Sequence, residues 1–237
     1  MKRECGIFLI LLFVLVLEGG MASRAAAGLV VVPGLSGSGM NVQVTSRKEA
    51  LFQTTVHQQY DFSCGSAALA TLLTHHYGTR VTEQDVFAWM YEKGDKEKIR
   101  REGFSLLDMK NYLEARDFLA DGYYVDLDKL AGVGVPAIVL INLKGYRHFV
   151  VVKGVTDKRV LVGDPASGIK VLPRADFEKM WNGLVFLVRN KVNLAEGNFN
   201  RLDEWKVKGR TPMGSALRAN ELANVTYLLP GPGAAGP

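Results

Sequence analysis

Three short β-branched runs, Pro136–Leu143 (PAIVLINL), His148–Val155 (HFVVVKGV) and Arg159–Gly163 (RVLVG), follow one another with only Gly and charged turns between them. Connections this short return the chain antiparallel, because a parallel neighbour needs a crossover of about a dozen residues or more. Ile169–Val171 and Leu184–Val188 extend the same pattern, with a short helix expected over Arg174–Trp181. Upstream, the signal is helical. The run CGSAALATLLTHHY from Cys64 to Tyr77 places Ala and Leu at helical spacing and stops at Gly78, and further helices are expected over Glu83–Lys93 and Ser105–Arg116. Ser105 and Asp108 have the spacing of a capping box. Helices first and sheet second is an α+β layout.

The 237 residues divide, on this reading, into four parts. Residues 1–27 combine Lys2 and Arg3, an apolar run from Gly6 to Leu17, and a small-residue end at Ala25, Ala26 and Ala27, as a secretory signal peptide does. The run falls short of the roughly 20 residues that span a bilayer, so membrane contact is expected only through an uncleaved signal segment. Residues 28–50, with GLSGSG at 34–39, read as a flexible lead-in; 51–190 as the folded domain; 191–237 as an extension with an amphipathic stretch at Ser215–Ala223 and a disordered Gly/Pro-rich end. An exported protein is the expectation.

A formal net charge of +5 without a Lys/Arg run gives no basic stripe for nucleic acid. The chain also contains no GxxxxGK[ST] loop, so ATP is not an expected partner. Of its two cysteines, Cys5 lies in the signal segment, leaving Cys64 as a single thiol in an oxidising compartment. Such a thiol is either buried as a small hydrophobe or put to use. Cys64 opens a helix, where unpaired N–H groups favour the thiolate, and its own backbone N–H could bind an oxyanion. Gly65 beside it would let a substrate backbone approach closely.

A cysteine nucleophile also needs a base and a group that orients it. The histidines are His57, His75, His76 and His148. His75 and His76 stand at the far end of the Cys64 helix, where they read as surface residues that suit the helix dipole; being adjacent, they do not share a face as metal ligands would. No metal or cofactor is expected. His57 is not excluded by spacing. His148 opens the apolar run HFVVV and Asp164 closes the next strand, so a hairpin would bring the two together at one sheet edge.

These residues resemble the C39 peptidases, papain-like cysteine proteases that remove leader peptides after a double glycine. QQYDFSCGSAAL matches the family's Gln, five residues and Cys-Gly; YRHFVVVKGV and VLVGDPASG match its His and Asp segments; GFSLLDMKNYLEARDF resembles the stretch between. The resemblance covers roughly residues 50–190. It implies a papain-like fold with Cys64 as nucleophile, His148 as general base and acid, Asp164 as its orienter and Gln58 as oxyanion donor, with the adjacent Gln59 as competitor for that last role. It also implies hydrolysis after small residues in a polypeptide partner. Lacking the transporter portions of better-known members, the chain is most similar to a stand-alone periplasmic form that serves functional-amyloid secretion, so an amyloid subunit or secretion component is the implied substrate. The chain's own Leu17-Glu18-Gly19-Gly20 resembles a double-glycine leader end, though a signal boundary explains it more simply. The competing reading is a non-catalytic leader-binding or chaperone module on the same fold; acyl transfer to an acceptor other than water would use the same residues.

Overall fold

A computed structural model describes residues 28–32, 40–44 and 46–206. The signal segment, the Ser215–Ala223 stretch and the Gly/Pro-rich end lie outside the described residues. The chain divides into two units after Ser46. In the first, β1 (Gly28–Val32) pairs antiparallel with β2 (Met40–Val44), from Gly28 opposite Val44 to Val32 opposite Met40. Regular structure therefore begins inside the stretch read as a flexible lead-in. Five-residue strands are too short to show a period, but β-branched runs on either side of a Gly-rich segment are what a two-stranded ribbon requires.

The second unit places α1 (Arg47–Leu51), α2 (Cys64–His76), α3 (Glu83–Lys93), α4 (Lys96–Glu102) and α5 (Leu106–Glu114) ahead of the sheet. Next come β3 (Ala120–Tyr124), α6 (Leu127–Val133), β4 (Ala137–Leu143), β5 (Tyr146–Val155), β6 (Arg159–Asp164) and β7 (Gly168–Pro173). The order closes with α7 (Arg174–Met180), β8 (Trp181–Val188), α8 (Val192–Ala195) and α9 (Leu202–Trp205). The six strands from β3 to β8 form one antiparallel sheet in the order β3-β8-β4-β5-β6-β7.

α2 is the central helix. Its residues from Cys64 to Leu73 are all buried, so it is apolar all round and lies between the sheet and α3 and α5. Thr71 is accommodated because its hydroxyl donates to the Ala67 carbonyl at 2.8 Å. The helix ends where Gly78, at φ 66°, turns the chain into the left-handed region. α3 and α5 each begin with a capping box, Thr82 with Asp85 and Ser105 with Asp108, so the pair expected at Ser105 is present.

β5 alternates between two cores, which explains why HFVVV is an unbroken apolar run. Phe149 and Val151 pack with α2, Met109 and Tyr112, whereas Val150 and Val152 pack with Leu130, Phe177 and Trp181. The sheet thus carries α6 and α7 on the face opposite the N-terminal helices, a layer additional to the expected one. Residues 191–206, assigned from sequence to an extension, fold back: the Asn198 side chain donates to the His76 carbonyl at 3.1 Å, and Asn200 N–H donates to the Lys153 carbonyl at 2.8 Å.

Candidate active site

Cys64 is the first residue of α2 and is 7% exposed. Ser63 precedes it as N-cap but supplies no side-chain cap; its hydroxyl is engaged with the backbone N and O of Tyr60 at 3.1 and 3.0 Å. The first-turn N–H groups of α2 are therefore left without a side-chain acceptor beside the thiol, where they favour negative charge. Gly65 serves packing. A Cβ there would lie 3.0 Å from Met109 Cε and 3.1 Å from Phe104 Cβ, so the glycine lets α2 pack closely against the α5 side of the domain.

His148 lies near the start of β5 and Asp164 at the end of β6. The hairpin between them sets His148 Nε2 2.9 Å from Asp164 Oδ1, with both side chains buried. Asp164 is itself fixed: Ala166 N–H donates to Oδ1 at 2.8 Å and Lys170 Nζ to Oδ2 at 2.9 Å. Burial alone would raise the Asp164 carboxyl, but its hydrogen bonds from His148 and Lys170 hold it well below the usual carboxylate range. Burial would likewise lower His148, yet the Asp164 hydrogen bond, an interaction with the Cys64 thiol and both negative charges push it up to about 9. Since Nε2 is committed to Asp164, Nδ1 is the ring nitrogen left for the thiol; it makes no hydrogen bond of good geometry in this state.

Gln58 N–H donates to the Pro165 carbonyl at 3.0 Å, which ties it to the turn following Asp164. Its side chain lines the same cavity as His148 and Asp164. One Nε2 proton goes to the Tyr60 carbonyl at 3.0 Å, leaving the second to serve another acceptor. Gln59 is exposed and lines a separate cavity with Phe87 and Tyr91. Cys64 itself lines a second cleft, of about 800 Å³, walled by Phe62, Phe104, Leu106, Leu140 and Phe149.

Two residues of the site carried no sequence signal. Tyr146 stacks on His148 with ring centroids 5.9 Å apart, and its hydroxyl donates to the Asp61 carbonyl at 2.8 Å; Tyr146 and Asp61 line both cavities. Lys170 is the other. Tyr146 opens the YRHFVVVKGV segment without its residue type announcing a role, Lys170 stands in no recognisable motif, and only the strand pairing brings them to the hairpin ends.

The remaining histidines stay apart from this group. His57 is exposed and packs its ring 4.7 Å from Phe52. His76, expected at the surface, is 1% exposed, and neither of its ring nitrogens has a hydrogen-bond partner. The reason is the folded-back segment 191–206, which covers the end of α2. Burial first, then the charge of Lys153, lowers His75 to about 4 and His76 well below 6.5. Neutral histidines favoured by folding stabilise the protein above about 6.5, and that contribution is lost as pH falls through the depressed values. Thermal unfolding followed between pH 8 and 4 is therefore expected to show a falling Tm below about 6.5, with a smaller fall in His76→Gln; an equal fall in that variant would count against this origin.

A thiol at a helix N-terminus, an imidazole anchored by a carboxylate, and a carboxamide lining the imidazole's cavity form a set suited to acyl transfer. Among the described residues no cluster of three or more His, Cys, Asp or Glu could hold a metal ion, and no helix is long and apolar enough to cross a membrane. Comparison with known proteins agrees with the chemistry. The sequence profile of the Peptidase C39 family matches residues 53–193, more than half of the chain. The "Probable functional amyloid protease FapD" of Pseudomonas aeruginosa is 42% identical over 179 residues, covering 76% of this chain and 78% of that protein. The Pseudomonas fluorescens protein of the same name is 41% identical over 71% of this chain and 75% of its own length. A crystal structure of a double glycine motif protease from an AMS/PCAT transporter, in complex with the leader peptide, aligns with a TM-score of 0.49 and 27% identity, covering 56% of this chain and 89% of that one. By the profile match and the level of identity to the two Pseudomonas proteins, this chain of helices and antiparallel sheet belongs to the Peptidase C39 family and is a peptidase.

Proposed function

We propose that the chain is an exported cysteine endopeptidase in which Cys64, His148 and Asp164 form the catalytic triad and Gln58 supplies an oxyanion donor. The observation that carries this reading is the buried 2.9 Å contact between His148 Nε2 and Asp164 Oδ1, with Nδ1 left for Cys64 at the helix N-terminus. Because His148 is held up to about 9, its ring already carries the Cys64 proton on Nδ1 at neutral pH, and Sγ attacks the peptide carbonyl carbon as the thiolate of that ion pair. The negative charge on the carbonyl oxygen is met by the Cys64 backbone N–H and the free Nε2 proton of Gln58. His148 then gives its proton to the departing amine, leaving a thioester on Cys64. Water attacks the thioester with His148 as base, the C–S bond breaks, and the thiol is restored. Asp164 keeps the ring oriented throughout.

The substrate proposed is a secreted or secretion-system polypeptide cut after small residues of the double-glycine type. The name of the FapD relatives supports an amyloid component, and the basic start and apolar run of residues 1–27 support the periplasm as the place of action. The test compares N-termini of secreted proteins, by mass spectrometry, from cells carrying the intact chain and Cys64→Ala. New N-termini following small residues are expected only with Cys64; identical N-termini together with unchanged secretion would favour a binding module instead.

The Gln58 assignment has its own test. Gln58→Ala is expected to lower kcat by about 100- to 1,000-fold, as the loss of one oxyanion donor does, while Gln59→Ala changes it little. Steady-state kinetics on a peptide substrate decide it, and the reverse ranking would transfer the role to Gln59.

A further inference from the structure

Lys153 lies on β5, five residues beyond His148, and is fully buried, yet no step of the proposed chemistry uses it. Its ammonium makes three hydrogen bonds: to the Thr54 carbonyl at 2.8 Å, the Thr54 hydroxyl at 2.7 Å and Glu204 Oε1 at 2.7 Å. All three of its donors are thereby used. Glu204 is 3% exposed and lies beyond the stretch matched by the family profile, which ends at residue 193. A charge pair shut inside the protein thus joins the domain proper to the segment that follows it.

The docking of that segment is built into β5. Pairing with β6 shifts register between Val152 and Gly154. Asn200 fills the irregularity, accepting from Val155 N–H at 2.9 Å and donating to the Val155 carbonyl at 3.2 Å. Asn200 has φ 57°, a left-handed conformation that Asn tolerates well. A Cβ on residue 154 would collide with Asn200 Oδ1, so the glycine is required by the segment lying on it.

At its other end the Lys153 contact reaches toward the active site. Thr54 begins a five-residue stretch ending at Gln58, held by Val56 N–H donating to Thr71 Oγ1 at 2.8 Å and Gln58 N–H donating to the Pro165 carbonyl at 3.0 Å. Thr55, buried between these points, packs against Gly163, where a Cβ would meet its hydroxyl at 2.9 Å. With Lys153 in place the stretch is anchored at its start, middle and end.

We infer that residues 198–205 form a positioning clasp for the oxyanion donor: Glu204 fixes Lys153, Lys153 fixes Thr54, and the anchored stretch presents Gln58 beside Cys64. Lys153 and Glu204 are positioning residues, acting through Gln58; the kinetic part of the inference rests on the proposed role of Gln58. Stability alone does not account for the arrangement, because a buried ion pair can often be replaced by apolar side chains at little cost.

That property supplies the experiment. The double variant Lys153→Met/Glu204→Leu removes both charges together in the full-length protein. Expected are a Tm within a few degrees of wild type and hydrogen exchange at Val56 and Gln58 about ten-fold faster or more, with exchange at Val150 and Val151 unchanged. On a peptide substrate kcat is expected to fall about ten-fold or more with KM within about two-fold, while iodoacetamide alkylation of Cys64, which develops no oxyanion, keeps its rate. Should the double variant fold poorly, Thr54→Val removes one contact of Lys153 and leaves the ion pair, with the same pattern at about three-fold. Unchanged exchange at Val56 and Gln58 would overturn the clasp, as would faster exchange with an unaltered kcat, or alkylation falling in step with kcat. If wild-type protein hydrolyses no peptide, the peptidase mechanism fails, and the exchange measurement still decides whether residues 198–205 hold the Gln58 stretch.

Discussion

Cys64→Ala is expected to fold as the wild type does and to hydrolyse peptide slower by about 10,000-fold or more, because the nucleophile and the acyl intermediate vanish together. The side chain is buried and small, so removing its sulfur leaves only a minor void at the head of α2. Circular dichroism and Tm would establish folding, and kcat on a small-residue peptide the loss. Retained hydrolysis in the folded variant would show that another group attacks the carbonyl. Cys64→Ser is a useful companion: the hydroxyl keeps the shape but is a far weaker nucleophile beside the same imidazole.

The second large effect belongs to Asp164→Asn. The carboxylate accepts from the ring at Nε2 and faces its charge, and His148 is raised to about 9 in spite of burial. A ring with a folded pKa above its ordinary 6.5 stabilises the native state fully below about 6.5 and loses that contribution as pH climbs through about 9. The same titration ends activity on the alkaline side, where the protonated imidazole needed by the leaving amine disappears. Asparagine removes the negative charge and leaves desolvation, so the alkaline limb of kcat/KM is expected to move from about 9 toward or below 6.5. At neutral pH the rate should drop by about 100- to 10,000-fold. A pH–rate profile with the limb unmoved would mean that Asp164 does not govern the imidazole.

Strong local signals carried much of the fold into view. α2 is legible because Ala and Leu repeat without interruption, and β4 to β6 because β-branched runs alternate with turn residues. The capping box at Ser105 marks the start of α5 to the residue. Other elements have no such signature. α4 is KEKIRRE, with Ile99 as its single buried side chain, and is set by the Asp95 cap. β3 is ADGYY, an edge strand containing Asp and Gly whose existence depends on pairing with β8. α6 spans only Leu127–Val133, between Asp126 and the left-handed Gly134, too short for a period to show.

The candidate site divides in the same way. Cys64, His148 and Asp164 announce themselves by residue type and by their places at element ends; His148 and Asp164 are in buried contact, and Cys64 is buried and acts on the His148 ring. Lys170 and Tyr146 do not, because their contacts depend on how β7 and the β4–β5 turn close around the hairpin. The burial of His76 and the Lys153–Glu204 pair were equally hidden, since the residues after Asn190 read as an extension until the chain is seen to fold back.

The most direct test of cysteine-peptidase chemistry at Cys64 is the covalent intermediate itself. Wild-type protein mixed with a double-glycine peptide, quenched in acid within milliseconds and digested, should yield the Cys64-containing fragment heavier by the acyl portion of that peptide, and hydroxylamine should remove the added mass. Peptide cleaved at a measurable rate, with no adduct on Cys64 at any quench time and undiminished turnover after Cys64 is alkylated, would contradict the mechanism.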